Sequence, residues 1–348
     1  MIEVTGVHQH AAWQAGTLPD VEKVRPGLWS IPVPIPNNPL RYVLVYGLEL
    51  DDGLALIDAG WNCDEAWQAL NLGLAHAGGS IADVRAVLVT HLHPDHHGLA
   101  GRVRAASGAW VGLHPADAAL IHDHATHSAA LFDDRRRLMA EAGVPDDLVP
   151  EMAPVPVELT APGAFAEPDV LLEDGSRPEL PGWDLRTVWT PGHSPGHICF
   201  YSDERRLLLS GDHVLPRISP HVAQHTPRYP NPLGDFLRSL KSVRNLPVDE
   251  VLPAHEYRFA GLDHRVDELV QHHAVRLAEI EAVLQLRPVA TSWELTVELT
   301  WSRPWDEIPF SMQVGANGET LAHLALLVHM GSVRREGDRP ARFTLVDR

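Results

Sequence analysis

Residues 90–98 read THLHPDHHG and follow the apolar run RAVLV at residues 85–89. An apolar run of this length predicts a buried strand that ends near Thr90, and a helix is expected to begin near Asp95. Four polar side chains would then lie on one turn and converge on one point: His91, His93, Asp95 and His96. Imidazole nitrogens and carboxylate oxygens are ligands that Zn²⁺ and Fe²⁺ take in proteins. The segment therefore predicts a metal site at the end of a strand.

Short apolar runs that end in Gly, Asp or Pro dominate the first two thirds of the chain, and candidate helices lie between them. This alternation predicts a layered α/β fold with its site in the loops at strand ends. Two of the runs, LALIDAG at residues 54–60 and LLLSGDH at residues 207–213, both place an aspartate where the strand ends. Their likeness predicts an internally duplicated sheet.

The segment IPVPIPNNPLRY at residues 31–42 carries four prolines. Proline cannot donate to a strand ladder, so the segment is too proline-rich for a central strand. It predicts either a stiff flap beside the site or a packed segment.

Three later strand ends carry further side chains that can bind a metal. His193 lies in TPGHSPGH, Asp212 lies in LLSGDHVL, and His255 lies in LPAHE. Each follows an apolar run, so all three can point at the same end of the sheets as the first cluster. The sequence therefore predicts a seven-residue cluster assembled from separate loops.

These motifs, in this order, resemble those of the metallo-β-lactamase superfamily, and specifically its binuclear hydrolase branch. The resemblance covers about Gly27 to Gly261 and is carried by five separated motifs. It implies an α/β fold, the αββα sandwich of this superfamily.

The resemblance also implies a ligand set for two divalent metal ions. One ion is implied to be held by His91, His93 and His193, and the second by Asp95, His96 and His255, with Asp212 bridging the two. Asp58 in LIDAG matches the early aspartate of the family, which usually hydrogen-bonds a ligand imidazole or a metal-bound water.

The secreted antibiotic-degrading members that place a cysteine on the second metal are not matched, because Asp212 follows the strand LLLSG. Both metals should therefore have only nitrogen and oxygen ligands. Zinc is the default choice, and iron and manganese remain open.

Two such ions, about 3.5 to 4 Å apart, would hold a bridging water as hydroxide and polarise a carbonyl or phosphoryl oxygen of the substrate. Asp95 and Asp212 are the expected catalytic carboxylates. Asp212 bridges the ions, and Asp95 or a metal-bound water protonates the leaving group. The predicted function is hydrolysis of a small thioester, ester or lactone.

Two other activities of the same core stay open at this point. One is a nuclease or phosphodiesterase. The other is a mononuclear-iron enzyme similar to a persulfide dioxygenase, which the complete second ligand set argues against. A DNA-binding regulator with a relic core is the weakest alternative, because a relic would have lost ligands.

The charge of the chain separates these alternatives further. The sequence has 28 Lys and Arg against 46 Asp and Glu, which gives a net charge of -18. Nucleic-acid and anionic-membrane binding depend on Lys and Arg, so neither partner is expected, and a small-molecule substrate is. The two cysteines, with no leader-like or membrane-spanning stretch, predict a cytoplasmic protein.

The predicted domains are a catalytic domain at residues 1–262 and a C-terminal module at residues 263–348. The module is expected to contain a long amphipathic helix, a helix opened by a Thr291-x-x-Glu294 capping box, an apolar helix ended by Gly331, and a hairpin. This order predicts a small winged-helix-like domain. Its expected role is packing, homodimer formation or closure of one wall of the pocket.

Substrate contacts are predicted in the proline-rich loop that follows Asp212, which reads LPRISPHVAQHTPRYPNP. Arg217, His221 and Tyr229 lie in this loop, which is expected to hang near the metals.

Overall fold

The structure is a computed structural model that describes residues 1–148, 165–224, 226 and 228–346. The chain divides into two units. The first comprises Met1–Ala125, Glu158–Pro220 and Ser239–Val266, and the second comprises Thr126–Val157, His221–Arg238 and Asp267–Arg348. The boundary expected after residue 262 lies close to the division at Val266. The assignment of domains 1–262 and 263–348 stays a prediction.

The strands of the described residues are short, as the length of the apolar runs predicts. In chain order they are β1 (Glu3–Val4), β2 (Glu22–Arg25), β3 (Leu28–Pro34), β4 (Tyr42–Leu50), β5 (Gly53–Ile57), β6 (Val84–Leu88), β7 (Trp110–Leu113), β8 (Val170–Leu171), β9 (Leu185–Trp189), β10 (Ile198–Ser202), β11 (Leu207–Gly211), β12 (Glu250–Pro253), β13 (Phe259–Ala260), β14 (Val333–Glu336) and β15 (Arg342–Leu345).

The α-helices of the described residues alternate with the strands in the first two thirds of the chain. In chain order they are α1 (Val7–Ala15), α2 (Asp64–His76), α3 (Pro94–His97), α4 (Ala100–Ser107), α5 (Pro115–Ala142), α6 (Pro232–Val243), α7 (Leu262–Leu286), α8 (Ser292–Glu298) and α9 (Phe310–His329). Short 3₁₀ helices cover Ile81–Asp83 and Trp305–Glu307. None of these helices is long and apolar enough to cross a membrane.

The first unit contains two mixed sheets. One has the strand order β2-β3-β4-β5-β6-β7-β8 and the other has the order β1-β13-β12-β11-β10-β9. Neighbouring strands run parallel from β5 to β8 in the first sheet, and β11 runs parallel to β12 in the second. Strands β5 and β11, each of which is followed by an aspartate, thus each have a parallel neighbour, and the internal duplication stays a prediction.

Strand β4 is buried on both faces, and its side chains alternate between two cores. Tyr42, Leu44 and Tyr46 pack in a core that also contains Phe200 and Leu252 of the second sheet. The intervening Val43 and Val45 pack in a core that holds Leu70 of α2 and Val103 of α4. Because successive side chains of a strand point to opposite faces, this alternation places the first sheet between a helix layer and the second sheet.

Strand β3 includes the first part of the proline-rich segment, residues 31–34, and the register shows that this part is not a central strand, as expected. It pairs with β4 as far as Pro34, which lies opposite Tyr42. On its other side β2 pairs with β3 only as far as Ser30. Pro32 and Pro34 therefore lie where β3 has a neighbour on one side only, so the missing N–H groups break no ladder.

The second unit contains the predicted C-terminal elements. Helix α8 begins with the expected capping box: the Glu294 N–H donates to Thr291 Oγ1 at 3.2 Å, and the Thr291 N–H donates to Glu294 Oε2 at 2.8 Å. Helix α9 ends two residues before Gly331, whose φ of 76° needs glycine. Strands β14 and β15 form the hairpin. These elements are confirmed, and the name winged helix stays a prediction.

One apolar core joins α7, α8, α9 and the hairpin of the second unit. It is formed by side chains of α7, α8, α9 and the hairpin, among them Ile280, Leu284, Leu295, Leu324 and Phe343. The hairpin is also joined to the chain before α8, because the Phe343 N–H donates to the Ala290 carbonyl at 2.8 Å. The module is therefore held by burial of apolar side chains.

Candidate metal centre

Strand ends position the candidate metal site. Parallel neighbours end at the same edge of a sheet, so the loops after β5 and β6 meet, as do those after β11 and β12. Asp58 follows β5, Asp212 follows β11, and His255 lies two residues after β12. The segment 91–96 follows β6, and His193 lies in the loop between β9 and β10. All seven predicted ligands come together at this edge.

The first group of side chains is made of His91, His93 and His193. Nε2 of His91 lies 3.0 Å from Nδ1 of His93 and 3.1 Å from Nε2 of His193. His91 is fully buried, and the other two are partly exposed. The three nitrogens therefore face a common point that is partly accessible to solvent.

The second group is made of Asp95, His96 and His255. Oδ2 of Asp95 lies 3.5 Å from Nε2 of His255 and 3.7 Å from Nε2 of His96. Asp212 faces both groups with different oxygens. Its Oδ1 lies 3.2 Å from His255 Nε2, and its Oδ2 lies 3.5 Å from His193 Nε2. One carboxylate thus joins the two groups.

Donor chemistry and spacing test whether these residues fit metal ions. Ligand atoms that share an ion at about 2.0 to 2.2 Å lie roughly 3 to 3.6 Å apart, close to the distances within each group. Among the described residues, three buried atoms that point into the cluster make no hydrogen bond: His96 Nε2, Asp212 Oδ1 and His255 Nε2. Buried polar atoms without partners are rare, and a cation would satisfy all three. The residues present fit divalent metal ions.

Three of the cluster imidazoles are oriented through their Nδ1 atoms. Nδ1 of His96 lies 2.8 Å from Oδ2 of Asp58, and Nδ1 of His255 lies 2.9 Å from the Tyr42 carbonyl. Nδ1 of His91 lies 3.1 Å from Thr90 Oγ1. An acceptor at Nδ1 places the proton there and leaves Nε2 with its lone pair toward the cluster.

Asp58 has the supporting place that its motif implies. It is buried, and its backbone has a φ of 63°, a left-handed conformation that is uncommon for a residue with a side chain. Its Oδ1 accepts hydrogen bonds from the backbone N–H of Thr90 at 2.7 Å and from the Thr90 hydroxyl at 3.0 Å. The carboxylate therefore fixes the start of the 90–98 loop as well as the His96 ring.

Burial and mutual charge shift the pKa values of the cluster in opposite directions. Burial, and then repulsion from neighbouring imidazoles, lowers the pKa of His91 well below its ordinary value. Burial also disfavours the charged form of His96, but the carboxylates around it raise its pKa well above the ordinary value. Burial acts to raise the pKa of Asp212, and His255 and His96 override it, so that pKa is well below normal. Asp212 is therefore an anion at neutral pH.

Two neighbouring histidines, His97 and His197, belong to neither donor group, although the His197 ring lies 5.1 Å from that of His91. The His97 ring packs 5.4 Å from that of Phe165. His197 Nδ1 lies 2.8 Å from Thr190 Oγ1, and its Nε2 accepts the backbone N–H of Asp212 at 3.0 Å. His197 therefore supports the loop that carries Asp212.

The three predicted substrate contacts fall in different places. Arg217 lies in the first unit, where its Nε is 3.2 Å from Oε1 of Glu256, the residue after His255. Its side chain is 59% exposed, so it can still contact a ligand. His221 and Tyr229 belong to the second unit. Their contact with substrate stays a prediction.

Sequence reasoning missed Asp117, a buried carboxylate in the first turn of α5. It accepts hydrogen bonds from Leu92, Ser194 and Gly196, in the two loops that carry the first group. Its only sequence signal is its place four residues after β7, another strand of the same parallel set.

Comparison with known proteins identifies the family and agrees with the fold. The sequence profile of the metallo-β-lactamase superfamily matches residues 38–255. A metallo-β-lactamase family protein from Thermus thermophilus has a solved structure that is 34% identical, with a TM-score of 0.78 and coverage of 93% of this chain and 100% of that one. A β-lactamase domain protein from Burkholderia ambifaria is 26% identical, with a TM-score of 0.80 and coverage of 99% and 98%.

Among curated proteins, the probable metallo-hydrolase YqjP of Bacillus subtilis is 26% identical over 305 residues, which is 85% of this chain and 90% of that protein. The chain therefore belongs to the metallo-β-lactamase superfamily and has its mixed α/β fold. The expected family and fold class are confirmed. The histidine and aspartate groups are the candidate metal-binding groups of this superfamily member.

Proposed function

We propose that this protein is a binuclear metal-dependent hydrolase that cleaves a small carbonyl substrate: a thioester, an ester or a lactone. The observation that carries the proposal is the pair of donor groups joined by Asp212, one of whose oxygens faces each group. The relative named as a metallo-hydrolase, which matches over most of both chains, supports the hydrolase class.

The two metal sites follow from the two groups. His91, His93 and His193 would hold one ion, Asp95, His96 and His255 would hold the other, and Asp212 would bridge them. Every donor is a nitrogen or an oxygen, and zinc is the proposed metal. The paired divalent ions supply a low-pKa water and a Lewis acid for the substrate oxygen.

The side chains of the site have separate tasks in this proposal. Asp58 holds the His96 ring with its Nε2 toward the cluster. Asp212 keeps its negative charge at neutral pH and so remains a ligand. Asp95 is 13% exposed, which leaves its carboxyl within reach of a leaving group that departs toward solvent. Asp95 would take up the proton that the attacking water releases and pass it to the leaving group, and a metal-bound water is the alternative proton donor.

The charge of the chain supports a small substrate over a nucleic acid. The protein has a net charge of -18, so it repels a polyanion that comes within a Debye length of its surface. Arg217 forms an ion pair with Glu256, the residue that follows His255, so its charge is already partly neutralised. Phosphate-backbone binding depends on unpaired Lys and Arg side chains.

The experiment pairs metal analysis with a substrate panel. The purified protein is stripped, reloaded with zinc, and assayed on thioesters, lactones and an RNA oligomer. The expected result is two zinc ions per chain and turnover of a thioester, ester or lactone. His93→Ala should lose zinc and turnover, while His76→Ala, which removes an exposed imidazole outside the cluster, should keep both.

Three outcomes contradict the proposal. Full turnover in His93→Ala would show that the cluster does not perform the reaction. Cleavage of the RNA oligomer, with no turnover of the carbonyl substrates, would favour a nuclease. A single tightly bound iron in protein purified without added metal would favour the mononuclear dioxygenase-like alternative.

A further inference from the structure

Asp117 is a fully buried carboxylate that none of the metal groups includes. It lies in the first turn of α5, where the helix dipole favours a negative charge. Burying an ionised carboxylate costs free energy unless hydrogen bonds compensate. The groups that donate hydrogen bonds to Asp117 therefore indicate its role in the fold.

The hydrogen bonds of Asp117 go to the two loops that carry the first group. Oδ2 accepts the backbone N–H of Leu92 at 2.9 Å and the Ser194 hydroxyl at 2.8 Å. Oδ1 accepts the backbone N–H of Gly196 at 2.6 Å. Leu92 separates His91 from His93, and Ser194 follows His193 directly. One side chain thus joins the loop after β6 to the loop before β10, which belong to different sheets.

The approach between these loops and Asp117 is close. A Cβ atom added to Gly196 would lie 2.5 Å from the Asp117 backbone nitrogen and 2.6 Å from its Cγ. Real Cβ atoms do not approach this closely, so the loop can reach Asp117 only with glycine at this position. The close approach of Gly196 and the three hydrogen bonds therefore restrict the movement of the carboxylate.

The second group has other supports. His96 is held by Asp58, and His255 is held by the Tyr42 carbonyl. Asp58 also reaches the first group, because the Thr90 hydroxyl that donates to it lies 3.1 Å from Nδ1 of His91. The three side-chain hydrogen bonds of Asp117, in contrast, involve neither His96 nor His255. Loss of Asp117 should disturb the geometry of one group and leave the anchors of the other in place.

We propose that Asp117 is a positioning residue that holds His91, His93 and His193 in the arrangement that binds the first metal ion. The inference rests on the proposed function, because it takes this group as a metal site. Metal affinity depends on ligand placement within about 0.5 Å, and loss of an outer hydrogen-bond partner typically weakens metal binding 10- to 100-fold. Asp117 acts on three ligands at once through two loops.

The test is competition titration of the metal-free protein with zinc against a chromophoric chelator at pH 8. Asp117→Asn keeps the size of the side chain and removes one acceptor. The matched control is Asp184→Asn. Asp184 accepts bonds from the Ser202 hydroxyl at 2.5 Å and the Glu204 N–H at 3.0 Å, at the opposite end of β9 from His193.

The wild type should bind two zinc ions, and so should the Asp184→Asn variant. Asp117→Asn should bind one ion with wild-type affinity and the other 10- to 100-fold more weakly. In a His255→Ala variant, the zinc ion that still binds measures the affinity of the first group. Adding Asp117→Asn to this variant should lower that affinity by the same factor. Ser194→Ala, which removes one of the three donors, should give a smaller loss in the same direction.

The results separate this inference from the proposed function. A wild type that binds no zinc contradicts the proposed function itself. Two ions with wild-type affinity in Asp117→Asn overturn the positioning role and leave the function standing. Equal weakening of both ions, with a lowered unfolding temperature of the metal-free variant, also overturns it, because a general structural role would act that way.

Discussion

Asp117 predicts a pH dependence of stability that can be measured without metal. Burial raises its pKa from 3.8 to about 6, against the three hydrogen bonds that lower it. The difference of about 2.2 units is worth about 3 kcal/mol at 1.36 kcal/mol per unit. Because the folded-state pKa is the higher one, the folded protein binds the proton more tightly than the unfolded chain. The stabilisation is complete below pH 3.8 and is lost as the pH rises through 6.

The perturbation is Asp117→Asn, which cannot titrate. Asparagine avoids the cost of burying a charge above pH 6, but its amide faces the Leu92 N–H, and an unsatisfied buried N–H costs about 1 to 3 kcal/mol. These effects offset near pH 8, so the two proteins should have similar unfolding free energies there. Below pH 6 the unfolding free energy of the wild type should rise relative to that of the variant. About 2 kcal/mol of the total should appear between pH 7 and pH 4.

The assay is urea unfolding of both proteins at half-unit steps of pH, with a chelator present and the signal taken from circular dichroism. Subtracting the variant from the wild type at each pH cancels every other titrating group. A difference that stays constant from pH 4 to pH 7 would refute the reasoning. So would a wild type that loses stability relative to the variant as the pH falls.

Three further predictions test other parts of the structure. Asp58→Asn should weaken zinc binding 10- to 100-fold by chelator competition, and unchanged affinity would show that its bond to the His96 ring is dispensable. Arg258→Met should lower the unfolding free energy by about 3 kcal/mol, because the buried Glu250 keeps only the partly exposed Arg25 and the Thr5 hydroxyl among its described side-chain partners, and a neutral result would contradict this. Thr291→Ala should cost about 1 kcal/mol in thermal unfolding through loss of the α8 cap, and a stabilised variant would show that the cap is strained.

The candidate metal ligands could be predicted from the sequence because they follow apolar runs. An apolar run predicts a buried strand, and a histidine or aspartate that follows it is then expected at the edge of the sheet. His193, Asp212 and His255 each give this local signal, so no knowledge of loop conformation was needed. The same reasoning found the capping box of α8, whose two partners are three residues apart.

Asp117 could not be found in this way, because its function lies in partners 25 and 77 residues away. A carboxylate in the first turn of a helix is ordinary, and only the folded chain shows which N–H groups it accepts. The pairing of the proline-rich segment with β4 could not be predicted for a related reason. Whether Pro32 breaks a ladder depends on where the neighbour β2 ends, and β2 is a different segment of the chain.

The membership of the two units depends on tertiary structure even more. The second unit takes in segments that precede the C-terminal module in sequence, among them His221–Arg238. No local pattern distinguishes such a segment from the loop of a catalytic domain. Predicted substrate contacts in this segment therefore rest on proximity in sequence to Asp212 alone.

The central claim is that one edge of the two sheets holds two metal ions joined by Asp212. Anomalous diffraction from crystals of the zinc-loaded protein, recorded at the zinc absorption edge, tests it most directly. Two peaks are predicted, one at coordination distance from His91, His93 and His193 and the other from Asp95, His96 and His255, with an Asp212 oxygen beside each. A cluster without anomalous peaks in saturating zinc, or a single peak that Asp212 does not touch, would contradict it.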